Sequence, residues 1–125
     1  MTQSDTWFPE VQHIPFEGAK SQNPLAFCHY HADEVVSGKT MRDHLRFAVC
    51  YWHSMRGTGA DPFGVGCRKM PWSVAKDDMQ AAHQTMDAMF EFVTKLGAPF
   101  WCFHDRDIAP ECDDLAKTNA KLDEM

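Results

Sequence analysis

Pro99-Phe100-Trp101-Cys102-Phe103-His104-Asp105-Arg106-Asp107-Ile108-Ala109-Pro110-Glu111 is the stretch on which the reading of this chain turns, because an aromatic, apolar run gives way abruptly to His-Asp-Arg-Asp and then Pro-Glu. Five residues of that run can cross a core as a buried β-strand. A histidine and two aspartates at its exit lose hydration unless they pair or reach water, and such a cost marks candidate functional sites. Alternation along a strand puts Phe100, Cys102 and His104 on one face and Trp101, Phe103 and Asp105 on the other. Asp105 therefore points away from His104, whereas Asp107, past the strand's end, can turn back and accept a hydrogen bond from the imidazole. A carboxylate in that place fixes the tautomer and raises the basicity of the ring, which suits a general base or a group that moves a hydroxyl proton. The plain structural reading of the same pair is a strand-end hydrogen bond without chemistry.

Upstream, Asp77 to Leu96 repeats apolar residues at Met79, Ala82, Met86, Met89 or Phe90, Val93 and Leu96, the stripe of a helix packed on a core. Asp77 and Asp78 suit its start, and Lys95, Gly97 and Pro99 suit its end. Before it, Thr40 to His53 fits a helix through Met41, Leu45 and Trp52 and a strand through Phe47, Val49 and Tyr51. Bulky β-favouring content decides for one helical turn followed by a strand from Arg46 onward. Strand, helix and strand in that order predict a βαβ unit with parallel strands and a site at their C-terminal ends, so Trp52 and His104 fall on one rim. After Glu111, Asp113 and Asp114 start a further helix with Leu115, Thr118, Leu122 and Met125 on one side.

Several segments in this order resemble the long-form (class II) xylose isomerases. They are Asn23-Pro24-Leu25-Ala26-Phe27, His29-Tyr30, Asp33-Glu34-Val35-Val36, Gly38-Lys39, His44-Leu45-Arg46-Phe47-Ala48, Tyr51-Trp52-His53, Asp61-Pro62-Phe63-Gly64, Phe90-Glu91-Phe92, Lys95-Leu96-Gly97 and the Phe-His-Asp-x-Asp with Pro-Glu at 103–111. The chain departs from the pattern at Cys28, His31, Gly57, Lys69-Met70 and Cys112. The resemblance implies an α/β fold, the N-terminal portion of a TIM (β/α)8 barrel, with an extension at 1–44 and the first βα units at 45–125. It implies an enzyme that interconverts D-xylose and D-xylulose by ring opening and a metal-dependent hydride shift. Two divalent cations (Mg, Mn or Co) then come with it, on ligands from later strands and none from this chain. Carried over residue by residue, His104 and Asp107 are catalytic in ring opening, Trp52 is an apolar wall for the sugar, and Phe63 reaches a neighbouring subunit's pocket in a homotetramer.

Size sets the next expectation. A full barrel needs roughly 250 residues, so 125 residues are expected to be a piece, with a helical pattern still running at Met125. Such a piece is expected to be inactive and partly unfolded, with Phe100 and Trp101 exposed beside unpaired strand edges. A net charge of −6 without a basic stripe argues against nucleic acid and leaves a small neutral or polar molecule as the partner. Five cysteines without a Cys-x-x-Cys pair make no disulfide framework, and no long apolar segment precedes them, which suits a reduced, cytoplasmic chain away from membranes.

The remaining stretches carry weaker signals. Residues 1–21 mix Pro9, Pro15 and Gly18 with Trp7, Phe8 and Phe16 without a period, an irregular arm packed on something larger. Ser54 to Met70 is glycine-rich but lacks the Lys-Ser/Thr ending of a phosphate-binding loop. Its Asp61-Pro62-Phe63-Gly64 tip holds an exposed phenylalanine that needs a partner surface. Cys28, His29 and His31 are of zinc-ligand type but are crowded into four residues. The rival to the enzyme is a small metal-binding or structural module built on Cys102, His104, Cys112 and His29, a spacing that matches no zinc pattern.

Overall fold

The structure, a computed structural model, describes residues 6–125. It is a mixed α/β arrangement of two short two-stranded sheets and helices. The first sheet pairs β1 (Val35–Val36) with β2 (Lys39–Thr40) in a hairpin. Its two-residue loop, Ser37 and Gly38, takes φ of 49° and 80°, the left-handed pair that matches the twist of the flanking strands. Thr40 then caps α1 (Met41–His44) through its hydroxyl, 3.3 Å from the Asp43 N–H, which is the single helical turn expected there.

The second sheet pairs β3 (Ala48–Cys50) with β4 (Phe100–Cys102) in parallel, as the strand-helix-strand order predicts. The partners are Ala48 with Phe100, Val49 with Trp101 and Cys50 with Cys102. Between them run α2 (Tyr51–Met55), a 3-10 turn at Pro71–Ser73 and α3 (Asp78–Leu96). Asp77 caps α3 by accepting from the Gln80 N–H at 2.8 Å, and Gly97 ends it at φ 75°, a left-handed conformation suited to glycine. Beyond β4 come α4 (Asp105–Ile108) and α5 (Leu115–Glu124), the latter capped by Asp114.

Two expectations need correction. The strand expected from Arg46, β3, begins at Ala48 and stops at Cys50, so Trp52 lies in α2 and not at a strand end. The cause is packing: a helical turn stacks Tyr51 and Met55, four residues apart, side by side in the core, where both are almost fully buried. Second, β4 is three residues long rather than five, and while Phe100 is exposed as expected of an open piece, Trp101 is half-buried instead of exposed. Trp101 meets Tyr51 and Phe90 on one face, and Arg46 lies over the Phe100 ring at 4.5 Å. His104 is consequently the cap of α4 rather than the strand's last residue. The expected α3 stripe is present, with Met89 rather than Phe90 at its buried centre, beside Thr85 and Ala88. Met86, Val93 and Leu96 of the expected stripe pack at the margin of the core. Ala88 and Met89 face a core that also holds Tyr51, Met55 and Trp72.

The arm behaves as expected from Thr6 onward, and its first five residues lie outside the described ones. Trp7 and Phe8 set their rings against Trp72, and their N–H groups donate to the Glu91 carboxylate at 2.7 and 3.1 Å. Lys95 joins Glu91 at 2.5 Å and donates to the Phe8 carbonyl. Burial acts to raise the Glu91 pKa, but the hydrogen bonds from Lys95, Trp7 and Phe8 outweigh it and hold the carboxyl below its ordinary 4.5. A depressed folded-state pKa gives stability that is present above the unfolded value and is lost as pH falls through the folded one. Acidification through the folded pKa should therefore release the arm, seen by NMR as Trp7 and Phe8 amide signals moving to free-peptide positions, with Glu91→Gln causing part of the same change at neutral pH. Amide signals that stay put in acid would show that the aromatic contacts alone hold the arm.

Candidate functional site

The C-terminal ends of β3 and β4 deliver α2 and α4 side by side, which brings Trp52 and His104 together. Their ring centroids lie 4.4 Å apart at an interplanar angle of 40°. His104 caps α4, whose four residues turn the chain sharply enough for Asp107 to face back toward the cap. Asp107 Oδ2 then accepts twice, from the His104 backbone N–H at 2.8 Å and from the imidazole Nδ1 at 2.9 Å. An ionised carboxylate only accepts, so this contact requires the proton on Nδ1 and leaves Nε2 of the neutral ring as a free acceptor. The environments of the two groups differ: the His104 side chain is 66% exposed and that of Asp107 only 17%. The acceptor is held within the protein while the ring meets solvent or a ligand.

The expected fold-back of Asp107 onto His104 is thus present, and Asp105 is turned elsewhere, accepting from the Arg106 N–H at 2.8 Å. Phe63 stands apart from this group. Its loop closes by reciprocal Asp61–Gly64 backbone hydrogen bonds, Asp61 Oδ1 accepts from the Phe63 N–H at 2.8 Å, and the ring is 96% exposed. The four residues of the rival metal module are not gathered, since among the described residues no three His, Cys, Asp or Glu side chains converge as a cation site would require. His31 instead stacks on Phe16 at 4.5 Å and nearly parallel.

Sequence reasoning missed two residues. Arg56, just past α2, donates through Nη1 to the carbonyls of Arg106 and Asp107 at 2.8 and 2.9 Å. It ties the two rims together and supplies positive charge at the C-terminal end of α4. Its partners are backbone atoms fifty residues away, which leave no mark in a side-chain pattern. Tyr51 lies beneath, and burial raises its hydroxyl to about 12, opposed by Arg56 and reinforced by the Asp107 charge. Its advance signals were its place in the Phe47-Val49-Tyr51 alternation and next to Trp52. Arg106 pairs with Glu111 and so fastens the Pro110-Glu111 exit to α4.

The Arg56 clamp generates a test. Arg56→Ala should cost about 1 kcal/mol, the usual net worth of a hydrogen-bonded contact, read as a lower urea midpoint with α4 amides exchanging faster. Arg56→Lys should recover little, because one ammonium cannot reproduce the planar donor between two carbonyls. Equal stability of all three proteins would remove the clamp from the account.

Comparison with known proteins supplies the remaining observation. No family model matches the chain. It is 53% identical over 119 residues to xylose isomerase 2 of Xanthomonas campestris pv. campestris (strain 8004), covering 95% of this chain and 27% of that protein. It is 51% identical over 116 residues to the xylose isomerase of Caldanaerobacter subterraneus subsp. yonseiensis, covering 93% of this chain and 26% of that protein. Against the xylose isomerase of Xanthomonas oryzae pv. oryzae (strain MAFF 311018) the identity is 50% over 119 residues. The chain spans about a quarter of the length of the curated relatives it matches.

Proposed function

We propose that this chain, homologous over nearly all its length to xylose isomerases, forms the extension and first βα units of a (β/α)8 barrel in an aldose–ketose isomerase acting on D-xylose. The observation that carries the proposal is the His104–Asp107 pair set against Trp52 at the ends of two parallel strands. In that reading the C–H face of the sugar lies on the Trp52 indole. Nε2 of His104 accepts the proton of the anomeric hydroxyl as the bond between the anomeric carbon and the ring oxygen breaks, and the proton then passes to the ring oxygen. The negative charge of Asp107 stabilises the imidazolium formed between these two events. The product is the open-chain aldehyde that an isomerase requires.

The hydride shift that follows is assigned to other parts of the enzyme. The two divalent cations (Mg, Mn or Co) are proposed to take their ligands from outside this chain. When bound they supply the Lewis acid. By the same reading the enzyme works in the cytoplasm, away from nucleic acid and membranes. No helix among the described residues is long and apolar enough to cross a membrane. The 125 residues alone are proposed to yield no xylulose from xylose in magnesium buffer.

A chimera tests the proposal: this chain replaces the matching 27% of the Xanthomonas campestris relative, and the product is assayed for xylulose. An active chimera is expected. In it His104→Gln should lower kcat by about 10²–10⁴-fold, the usual range for a lost acid–base group, and Asp107→Asn less. If turnover per folded site is unchanged in both, the pair is a strand-end hydrogen bond and the catalytic assignment fails.

Phe63 is proposed to complete the sugar pocket of a neighbouring subunit, within a homotetramer. The supporting observation is a ring 96% exposed on a tip braced by Asp61 and Gly64. Chimeras carrying Phe63→Ser and chimeras carrying His104→Gln, each nearly inactive, should regain activity when their subunits are exchanged, because a mixed pair holds one intact site. A mixture that stays inactive despite proven exchange would confine Phe63 to its own subunit.

A further inference from the structure

Cys50 and Cys102 end β3 and β4 as register partners, so their thiols leave the same face of the parallel ladder. Neighbouring strands lie about 4.8 Å apart, inside the span of about 4.4–6.8 Å that Cα atoms of disulfides occupy. Both thiols are free, with Cys102 exposed and Cys50 half-buried. The Cys102 S–H points across the ladder, donating to the Val49 carbonyl at 3.8 Å, so its sulfur already leans over β3 toward the residue before Cys50. Two residues beyond each cysteine stand Trp52 and His104, whose rings are in contact. None of the other three cysteines has a register partner among the strands.

We propose that Cys50 and Cys102 form a dithiol that small-molecule disulfides, of which glutathione disulfide is the type, oxidise to a cross-strand disulfide below the Trp52–His104 pair. The exposed Cys102 thiolate attacks one sulfur of the oxidant, forming a mixed disulfide and releasing one glutathione thiolate. The Cys50 thiolate then attacks the Cys102 sulfur, forming the Cys50–Cys102 bond and releasing the second. The two protein protons leave on the two glutathiones, the cysteine sulfurs are oxidised and the glutathione disulfide is reduced. The product joins the last residues of both strands and fixes the spacing of the rim they carry. This inference rests on the strand register and not on the proposed sugar chemistry.

The test is peptide mapping of the chain after incubation with glutathione disulfide. Sequence distance makes it discriminating: Cys50 and Cys102 are about fivefold further apart than Cys102 and Cys112, so an unstructured chain should favour the latter pair by about tenfold. In native buffer the linked peptides should instead contain Cys50 and Cys102, the product two hydrogens lighter than the reduced chain. Addition of urea should reverse the preference. Cys112→Ser should leave the cross-link intact, and Cys50→Ser should abolish it and leave Cys102 carrying glutathione. Preferential Cys102–Cys112 linkage in native buffer, or a Cys112→Ser protein in which Cys102 carries only glutathione, would overturn the proposal.

Discussion

Parallel pairing of Ala48, Val49 and Cys50 with Phe100, Trp101 and Cys102 is the constraint on which the rest of the structure depends. Closing a segment of that length costs chain entropy that three ladder pairs do not offset by themselves. The offset comes from the layer above, where Tyr51, Met55, Trp72, Ala88 and Met89 exclude water between the crossover segments and α3. Register matters as much as pairing. Sliding one strand by a residue would turn Trp101 away from Tyr51 and Phe90 and direct Cys102 into the core, exchanging an aromatic contact for a thiol. The rim inherits this precision, since Trp52 and His104 each follow their strand by two residues.

Asp107 converts that placement into a defined chemical group. One carboxylate oxygen serves both the backbone of the α4 cap and the imidazole, so folding the short helix and orienting the ring are the same event. A four-residue helix has little stability of its own. It is held from outside by Arg56 on its last carbonyls, by the Arg106–Glu111 pair, and by Ile108 and Ala109 in the core. The exposed ring is therefore mounted on buried supports.

Much of this was legible in the residues. Asp77, Gly97 and the apolar spacing between them mark α3 with both caps, because capping is local chemistry. The return of Asp107 to His104 is legible for the same reason, as it spans one turn. What stayed hidden depends on distant partners. The early end of β3 follows from burying Tyr51 and Met55 against a helix more than twenty residues ahead. The half-burial of Trp101, expected to be exposed beside an unpaired edge, follows from its contacts with Tyr51 and Phe90 on other elements. Arg56 contacts main-chain carbonyls, and a carbonyl has the same chemistry at every position in a sequence.

The protonation pattern of one ring tests the central claim most directly. In neutral imidazole the two nitrogens have distinct ¹⁵N shifts, and their couplings to ring protons tell which carries the hydrogen. The structure requires the proton of neutral His104 on Nδ1, donated to Asp107, with Nε2 bare toward the rim. A ¹⁵N spectrum of the chimeric enzyme should show that tautomer for His104 and its loss in Asp107→Asn. The opposite tautomer in the unsubstituted chimera, or an unchanged ring in the variant, would contradict the account, because Asp107 would then not be holding the group proposed to move the proton.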